Sequence, residues 1–214
     1  MTLYHGSKGG INGRIQPLSR DACDFGPGFY IGTNRSQCCS LVSEHQKPVL
    51  YTCRLDVQNL RVKNLDSVLW VLFIMKNRGY LDAFKSTRLY EQLMRLHNSY
   101  DVFVGKIADD KMTDAFSVFL DGYMNFDTLL ACVSELSLGE QHVCVSQQAC
   151  DNVEILYFKN LRGAELDRSV QLAIQGRAQG KSIFEKYKRR GRRRGLFIDE
   201  FIEEYSNGLP NELF

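Results

Sequence analysis

The sequence predicts an α+β fold in which short strands surround a helical middle. Residues 49–55 are rich in β-favoured side chains, residues 67–78 form a strongly apolar helical stretch, and residues 141–145 return to a strand pattern. Apolar helices need a surface against which to pack, so we expect them to cover a sheet.

The remaining elements follow in chain order. Strands are predicted at residues 1–4 and 28–32, and a short helix at residues 34–45 begins at Asn34, a residue type that caps helices. Helices at residues 86–97, 112–120 and 126–135 and a strand at residues 101–105 come next, and a strand at residues 156–158 closes the sheet. We therefore predict one domain over residues 1–160 and a helical extension over residues 161–214.

Composition narrows the class of protein. The chain has 214 residues, of which 44% are hydrophobic and 24% charged, as in ordinary globular domains. Its seven cysteines are odd in number and lack C-x-x-C spacing, which argues against a disulfide framework and a zinc site and favours reduced thiols in the cytoplasm. No secretory signal or membrane-spanning segment is predicted.

The extension is divided by charge. Residues 181–195 hold eight basic residues and one acid, whereas residues 196–214 hold five acids and no base. These segments can be two solvated helical faces that neutralise each other, or a basic arm that binds nucleic acid or an acidic partner. The candidate contacts of such an arm are Arg189, Arg190, Arg192, Arg193 and Arg194.

Three separated segments suggest a dinucleotide site. His5 offers a ring nitrogen to a ribose hydroxyl, and Gly6 lets a ligand approach the main chain. Tyr30, framed by glycines, adds a flat face for an aromatic base. A lone histidine at a strand end is more often structural, but Gln141 opens a late strand and supplies a third polar element.

These segments resemble the ADP-ribosyltransferase superfamily, in the H-Y branch related to diphtheria toxin and the poly-ADP-ribose polymerases. The resemblance covers about residues 3–158 and rests on Leu3-Tyr4-His5-Gly6-Ser7, Asp24-Phe25-Gly26, Asn77-Arg78, Tyr100-Asp101-Val102 and Gln141, with a narrower likeness to a group of bacterial proteins of that fold. It implies a split antiparallel or mixed β-sheet with inserted helices, and NAD as the substrate.

The resemblance also implies roles for residues. His5 would hold the 2′-hydroxyl of the adenosine ribose, and the main chain of Gly6, with Ser7, would bind the nicotinamide carboxamide. Tyr30 would stack on nicotinamide, and Gly28 beside it is counted with the cofactor-binding residues. Arg20 is a candidate for the pyrophosphate or, alternatively, a member of a surface ion pair.

Two departures from the family pattern bear on the activity. The most active relatives carry glutamate where this chain has Gln141, and a neutral amide can orient a ribose but cannot act as a general base. Transfer of a single ADP-ribose is therefore expected rather than polymer synthesis, and Gln141→Glu is expected to raise NAD hydrolysis. Glu140 would take this position only if the strand register shifted by one residue. The second nicotinamide-stacking aromatic of the polymerases is replaced by a segment containing Ser36, Cys38, Cys39 and Leu41, so we expect modest NAD affinity.

Asp109 and Asp110 precede a predicted helix, where one can cap the helix or meet the acceptor. No histidine lies at metal-ligand spacing, so no metal is predicted. The leading hypothesis is a mono-ADP-ribosyltransferase with possible NAD hydrolysis, acting as a bacterial toxin or defence effector on a protein or nucleic acid and restrained by a neutralising antitoxin. The alternatives are a catalytically weak module that binds NAD, ADP-ribose or nucleic acid, and an interaction protein that acts through residues 164–214.

Overall fold

The computed structural model describes residues 1–19, 23–107, 111–136, 138–189 and 195–210. Over these residues the fold is mixed α/β, with seven strands and eight α-helices, in agreement with the coarse class predicted. The strands are β1 (Leu3–Ser7), β2 (Phe29–Gly32), β3 (Val49–Leu55), β4 (Val62–Asn64), β5 (Val102–Lys106), β6 (Glu140–Cys144) and β7 (Val153–Asn160). The helices are α1 (Arg35–Ser40), α2 (Ser67–Asn77), α3 (Arg88–Ser99), α4 (Met112–Leu120), α5 (Phe126–Glu135), α6 (Gln147–Asp151), α7 (Gly163–Lys188) and α8 (Ile198–Tyr205).

All seven strands form one sheet that opens at its centre. The strand order is β4-β5-β6-β2-β1-β3-β7, with β4 and β5 parallel and the other neighbours antiparallel. β1 and β2 pair at one position, Tyr4 with Gly32, whereas β1 pairs with β3 at five positions. Beyond the single Tyr4–Gly32 pair the two halves of the sheet separate, which leaves space between β1 and β2.

Both faces of the sheet carry buried side chains. In α2 every residue from Leu69 to Met75 is buried, which explains why this helix is apolar all round, and the Asp66 side chain caps it by accepting from the Leu69 amide at 2.8 Å. Val143 on β6 packs in the same cluster as α2, while its neighbour Cys144 belongs to a second cluster. Successive side chains of a strand point to opposite faces, so the two clusters lie on the two sides of the sheet.

The C-terminal extension contributes to the main core. Phe201 on α8 is 1% exposed and packs against Phe126, with ring centroids 4.7 Å apart. Phe184 on α7 and Leu209 are buried in the same cluster as α2. Burying one such side chain contributes about 1.5–3 kcal/mol, so these apolar contacts help to hold α7 and α8 to the domain.

Most predicted elements are observed, with shifted ends. The helix predicted at residues 34–45 is confirmed only over Arg35–Ser40, because a turn follows in which the Ser43 hydroxyl donates to the Ser40 carbonyl at 2.9 Å. The closing strand is longer than predicted, and the short elements β4 and α6 were not predicted. All seven cysteines lie in described residues and are free thiols.

Candidate functional site

A cleft of about 300 Å³ lies where β1 and β2 separate. Four of the predicted residues, His5, Gly6, Tyr30 and Gln141, line it together. The cleft also takes in side chains from the loop before β2, from α1 and from the end of α2, among them Asp24, Gln37, Leu41 and Arg78. Residues far apart in sequence therefore meet at one point of the sheet.

The ring of His5 is held in one orientation and one tautomer. Its Nδ1 lies 2.7 Å from the Tyr30 carbonyl, and its ring stacks on Phe29 with centroids 4.3 Å apart. A carbonyl can only accept, so Nδ1 carries the proton and Nε2 has a free lone pair in the neutral ring. Burial lowers the pKa of His5, although the hydrogen bond to Tyr30 opposes this. At neutral pH the residue is therefore an uncharged hydrogen-bond acceptor.

The hydroxyl of Tyr30 is engaged by the preceding loop. It donates to the Gly26 carbonyl at 2.7 Å and accepts from the Phe25 amide at 3.0 Å. Burial raises the pKa of Tyr30 well above its usual value, so the phenol stays protonated. Because the hydroxyl is used by the protein, the ring face is the part of Tyr30 that remains for a ligand.

Gln141 is fixed by a main-chain carbonyl. It lies on β6 between Gly32 of β2 and Gly105 of β5, is 7% exposed, and donates from Nε2 to the Lys106 carbonyl at 3.1 Å. The same carbonyl accepts from Trp70 Nε1 at 3.0 Å. The donor end of the amide is thus turned to Lys106, which leaves Oε1 as the end that can accept from a ligand.

The strand register decides between the two neighbouring candidates on β6. Gln141 lines the cleft, whereas the Glu140 side chain is 55% exposed and is not among the lining residues. The polar residue predicted to open this strand is therefore the one at the cleft.

Gly6 and Gly28 have structural reasons of their own. A Cβ at Gly6 would lie 2.3 Å from the Cys38 carbonyl oxygen, so glycine allows α1 to pack on β1. A Cβ at Gly28 would lie 2.6 Å from Val143 Cγ1. Gly28 and Ser7 do not line the cleft, and the Ser7 hydroxyl accepts from the Gly10 amide at 3.0 Å.

A cation at the cleft, Arg78, was not predicted as a functional residue. Its Nε donates to Asp24 Oδ1 at 2.9 Å and its Nη1 to the Thr113 hydroxyl at 2.7 Å, while Asn77 donates to the Asp24 carbonyl at 3.1 Å. The Arg78 side chain is 20% exposed. The sequence contains a signal for this group, since Asp24 and Asn77-Arg78 belong to the motifs that carry the family resemblance, but the resemblance does not imply a role for them.

The family model of proteins of unknown function (DUF3990) matches residues 1–155 of the chain. The chain belongs to the DUF3990 family. A search of curated proteins and a search of solved structures each found no match. The region that defines this DUF3990 protein runs from β1 into β7 and contains all the residues that line the cleft.

Several predicted residues of this DUF3990 protein lie outside the described residues: Arg20, Asp109, Asp110, Arg190, Arg192, Arg193 and Arg194. Arg189 is described and follows the last turn of α7, where its amide donates to the Glu185 carbonyl. It does not line the cleft.

Neither a metal-ligand cluster nor a membrane-spanning helix is found in the part of the DUF3990 chain that the structure describes. No group of three or more metal-ligating side chains is found there. Among the helices described, none combines the length and the apolar character needed to cross a membrane.

Proposed function

We propose that this DUF3990 protein is an NAD-dependent mono-ADP-ribosyltransferase. In this reaction the bond between nicotinamide and ribose C1′ breaks, its electron pair leaves with nicotinamide, and a lone pair of the acceptor bonds to C1′ while the acceptor proton passes to solvent. The observation that carries the proposal is the convergence of His5, Gly6, Tyr30 and Gln141 on one cleft at the opening of the sheet.

The geometry supports a role for each of these groups. His5 Nε2, a neutral acceptor, suits a ribose hydroxyl, and the main chain at Gly6 suits the carboxamide. The ring of Tyr30 would stack on nicotinamide. Leu41 is 65% exposed and lines the same cleft. We propose that its side chain forms an apolar wall for nicotinamide, in place of the second stacking ring of the polymerases.

Gln141 would orient the nicotinamide ribose through Oε1. A hydrogen bond from a ribose hydroxyl to this oxygen fixes C1′ as positive charge develops there, which is stabilisation by preorganised dipoles. The amide takes up no proton, so the acceptor must supply a nucleophile of its own. One transfer per acceptor fits this arrangement better than polymer growth.

One cation at the cleft, Arg78, is a candidate partner for the diphosphate of NAD. Arg78 lines the cleft with its fork of donors oriented by Asp24 and Thr113. A guanidinium held in this way is a good partner for phosphate oxygens. We assign the pyrophosphate contact to Arg78 among the described residues, and Arg20 remains a prediction.

A second candidate function is binding of NAD or ADP-ribose without transfer. The neutral Gln141 in place of a carboxylate favours it, because an amide stabilises a developing cation less than a carboxylate does. For the transferase, the family resemblance supports a role as a cytoplasmic bacterial toxin or defence effector. It would modify a protein or a nucleic acid and would be restrained by an antitoxin.

The test is release of nicotinamide from NAD by the purified chain, measured by chromatography. We expect His5→Ala to lower the rate by about 10²-fold or more, on the scale of losing one preorganised hydrogen bond in an active site. His45→Ala, outside the cleft lining, is the matched control. Tyr30→Ala should also abolish turnover, while Tyr123→Ala, which removes a 57% exposed ring, should not.

The outcomes separate the candidates. NAD binding in a calorimeter without nicotinamide release would select the binding module. If the chain neither binds NAD nor releases nicotinamide, both candidates are overturned.

A further inference from the structure

A second concave region lies on the other side of α1 from the cleft. Its volume is about 270 Å³, several times the roughly 30 Å³ that a water molecule takes in the liquid. Its polar side chains come from α1, from the end of β7 and from the first turns of α7. We call it the basic pocket and define it by Arg35, Ser36, Lys159, Glu165 and Arg168.

The basic pocket carries an excess of positive charge. Glu165 binds two of its cations, with one carboxylate oxygen 2.5 Å from Arg35 Nη2 and the other 2.6 Å from Lys159 Nζ. Hydrogen bonds from Lys159 and Arg35 lower the pKa of Glu165, so the carboxylate is ionised at neutral pH. Arg168, one turn further along α7, makes no ion pair within the described residues. One internal anion therefore faces three cations.

An exposed aromatic ring stands next to this charge. Tyr157 pairs with Thr52 and Lys159 with Leu50, so both side chains leave the same face of β7, about 7 Å apart along the strand. Tyr157 is 61% exposed. A cationic pocket beside an exposed aromatic ring is the arrangement by which proteins hold single-stranded nucleic acid, with phosphate at the cations and a base on the ring.

We propose that the basic pocket binds a backbone phosphate of a single-stranded nucleic acid, which is the acceptor presented to the cleft. This inference rests on the proposed transferase function and names its substrate class. Arg35 and Ser36 line the basic pocket, while Gln37 and Leu41 line the cleft. The two sites are thus separated by one short helix, about 10 Å across. A single-stranded nucleic acid held in the basic pocket can therefore reach the cleft within a few nucleotides.

The first experiment needs no NAD. A fluorescein-labelled 12-nucleotide single-stranded DNA is titrated with the full chain and followed by anisotropy at several salt concentrations. We expect Arg168→Gln and Tyr157→Ala each to weaken binding about tenfold. Arg168→Gln should also reduce the slope of log affinity against log salt by about 0.7, the value for one single-strand phosphate contact. Glu165→Gln removes the competing anion and should tighten binding about threefold to tenfold.

Arg189→Gln is the matched control, with the same loss of charge after the other end of α7. If Arg189→Gln weakens DNA binding as much as Arg168→Gln does, the proposal is overturned in favour of the basic arm at residues 189–194. If a polyglutamate peptide at the same charge concentration competes as strongly as unlabelled DNA does, the proposal is overturned in favour of an acidic protein partner.

The second experiment separates this inference from the proposed function. Transfer of ADP-ribose to the oligonucleotide is measured by mass spectrometry beside nicotinamide release. Arg168→Gln should lower transfer about tenfold and leave NAD hydrolysis unchanged, because Arg168 does not line the cleft. DNA binding without nicotinamide release would contradict the transferase, and with it the acceptor role, while the phosphate site in the basic pocket would stand. Nicotinamide release without DNA binding would contradict only the basic pocket.

Discussion

In the cleft His5, Tyr30 and Gln141 each hydrogen-bond to a main-chain carbonyl, whereas in the basic pocket Arg35 and Lys159 are held by the side chain of Glu165. Three carbonyls of a sheet and its adjoining loop cannot move independently of the fold. The Arg35 and Lys159 side chains are 45% and 49% exposed and can exchange one anion for another.

The two regions are therefore suited to different tasks. Uncharged groups fixed by the main chain are preorganised for chemistry, because they need not reorganise as charge develops on a substrate. Half-exposed ion pairs are weak and screened by salt, which suits reversible binding of phosphate. Substitutions in the two regions should therefore show a rigid cleft and a basic pocket whose anion can be exchanged.

The largest expected effect follows from Gln141→Glu. The carboxylate has no proton to give to the Lys106 carbonyl, so the two oxygens repel, and burial disfavours its charge. We expect nicotinamide release at pH 7.5 to fall about 10²-fold. This reverses the expectation from the sequence, where glutamate was expected to raise NAD hydrolysis.

The same variant has a pH signature. The introduced carboxyl should have a pKa raised above its ordinary value of about 4.3, and its protonated form can donate to the Lys106 carbonyl. The stabilising bond is present at low pH and lost as pH rises through the raised pKa, so activity relative to the parent chain should recover from pH 8 towards pH 5. Gln141→Ala is the control, with a relative activity that does not change with pH. A Gln141→Glu variant that releases nicotinamide faster than the parent at pH 7.5 would mean that the Lys106 carbonyl does not constrain this site.

The next effect is on stability and comes from Gly6→Ala. The new methyl group would meet the Cys38 carbonyl at 2.3 Å, and a helix carbonyl can yield only if α1 moves off β1. We expect the free energy of unfolding in urea to fall by about 1–3 kcal/mol, with loss of nicotinamide release since α1 carries one wall of the cleft. Gly9→Ala, where nothing lies within 4 Å of the added Cβ, should leave both unchanged. Equal effects at the two positions would contradict the close packing of α1.

How far the sequence predicts this site depends on the range of the interaction that forms it. Local periodicity predicts the helices at residues 67–78, 86–97 and 126–135, and the structure has them as α2, α3 and α5, capped by Asp66, Thr87 and Asn125. The meeting of His5, Tyr30 and Gln141 was predicted through the family resemblance. The second hydrogen bond at the Lys106 carbonyl could not be predicted, because it joins α2 to β5 through a main-chain atom that every residue possesses.

The basic pocket was missed for a similar reason. Arg35 and Glu165 are 130 positions apart and approach each other only because α7 crosses back over α1. Alternation alone places Lys159 and Tyr157 on one face of a strand, but that strand was predicted over residues 156–158 only. Surface charge patterns are weak signals unless the fold shows which charges face one space.

A smaller effect is expected from Tyr30→Phe. It leaves the Phe25 amide and the Gly26 carbonyl without the hydroxyl between them, at a cost of about 1–2 kcal/mol in the free energy of unfolding. The ring is kept, so nicotinamide release at a temperature where the variant is folded should stay within about threefold of the parent rate. Tyr123→Phe, at an exposed ring, is the control for stability. Loss of activity as large as in Tyr30→Ala would assign the chemistry to the hydroxyl instead of the ring.

The smallest effect is expected from Glu165→Gln, which tests the exchangeable side of the comparison. Its two ion pairs join α7 to α1 and β7, yet the cations are about half exposed, and exposed pairs contribute at most about 1 kcal/mol. The lowered pKa of Glu165 means that this contribution is present above the ordinary carboxyl range and is lost as pH falls through the lowered value. Urea unfolding at pH 7 and pH 3, for the parent and the variant, should therefore show a small difference at pH 7 that shrinks at pH 3. If Glu165→Gln lowers the free energy of unfolding by more than about 2 kcal/mol at pH 7, the ion pairs of Glu165 are a main contact between α7, α1 and β7. Arg35 and Lys159 would then be structural partners of Glu165 and would not exchange it for a phosphate.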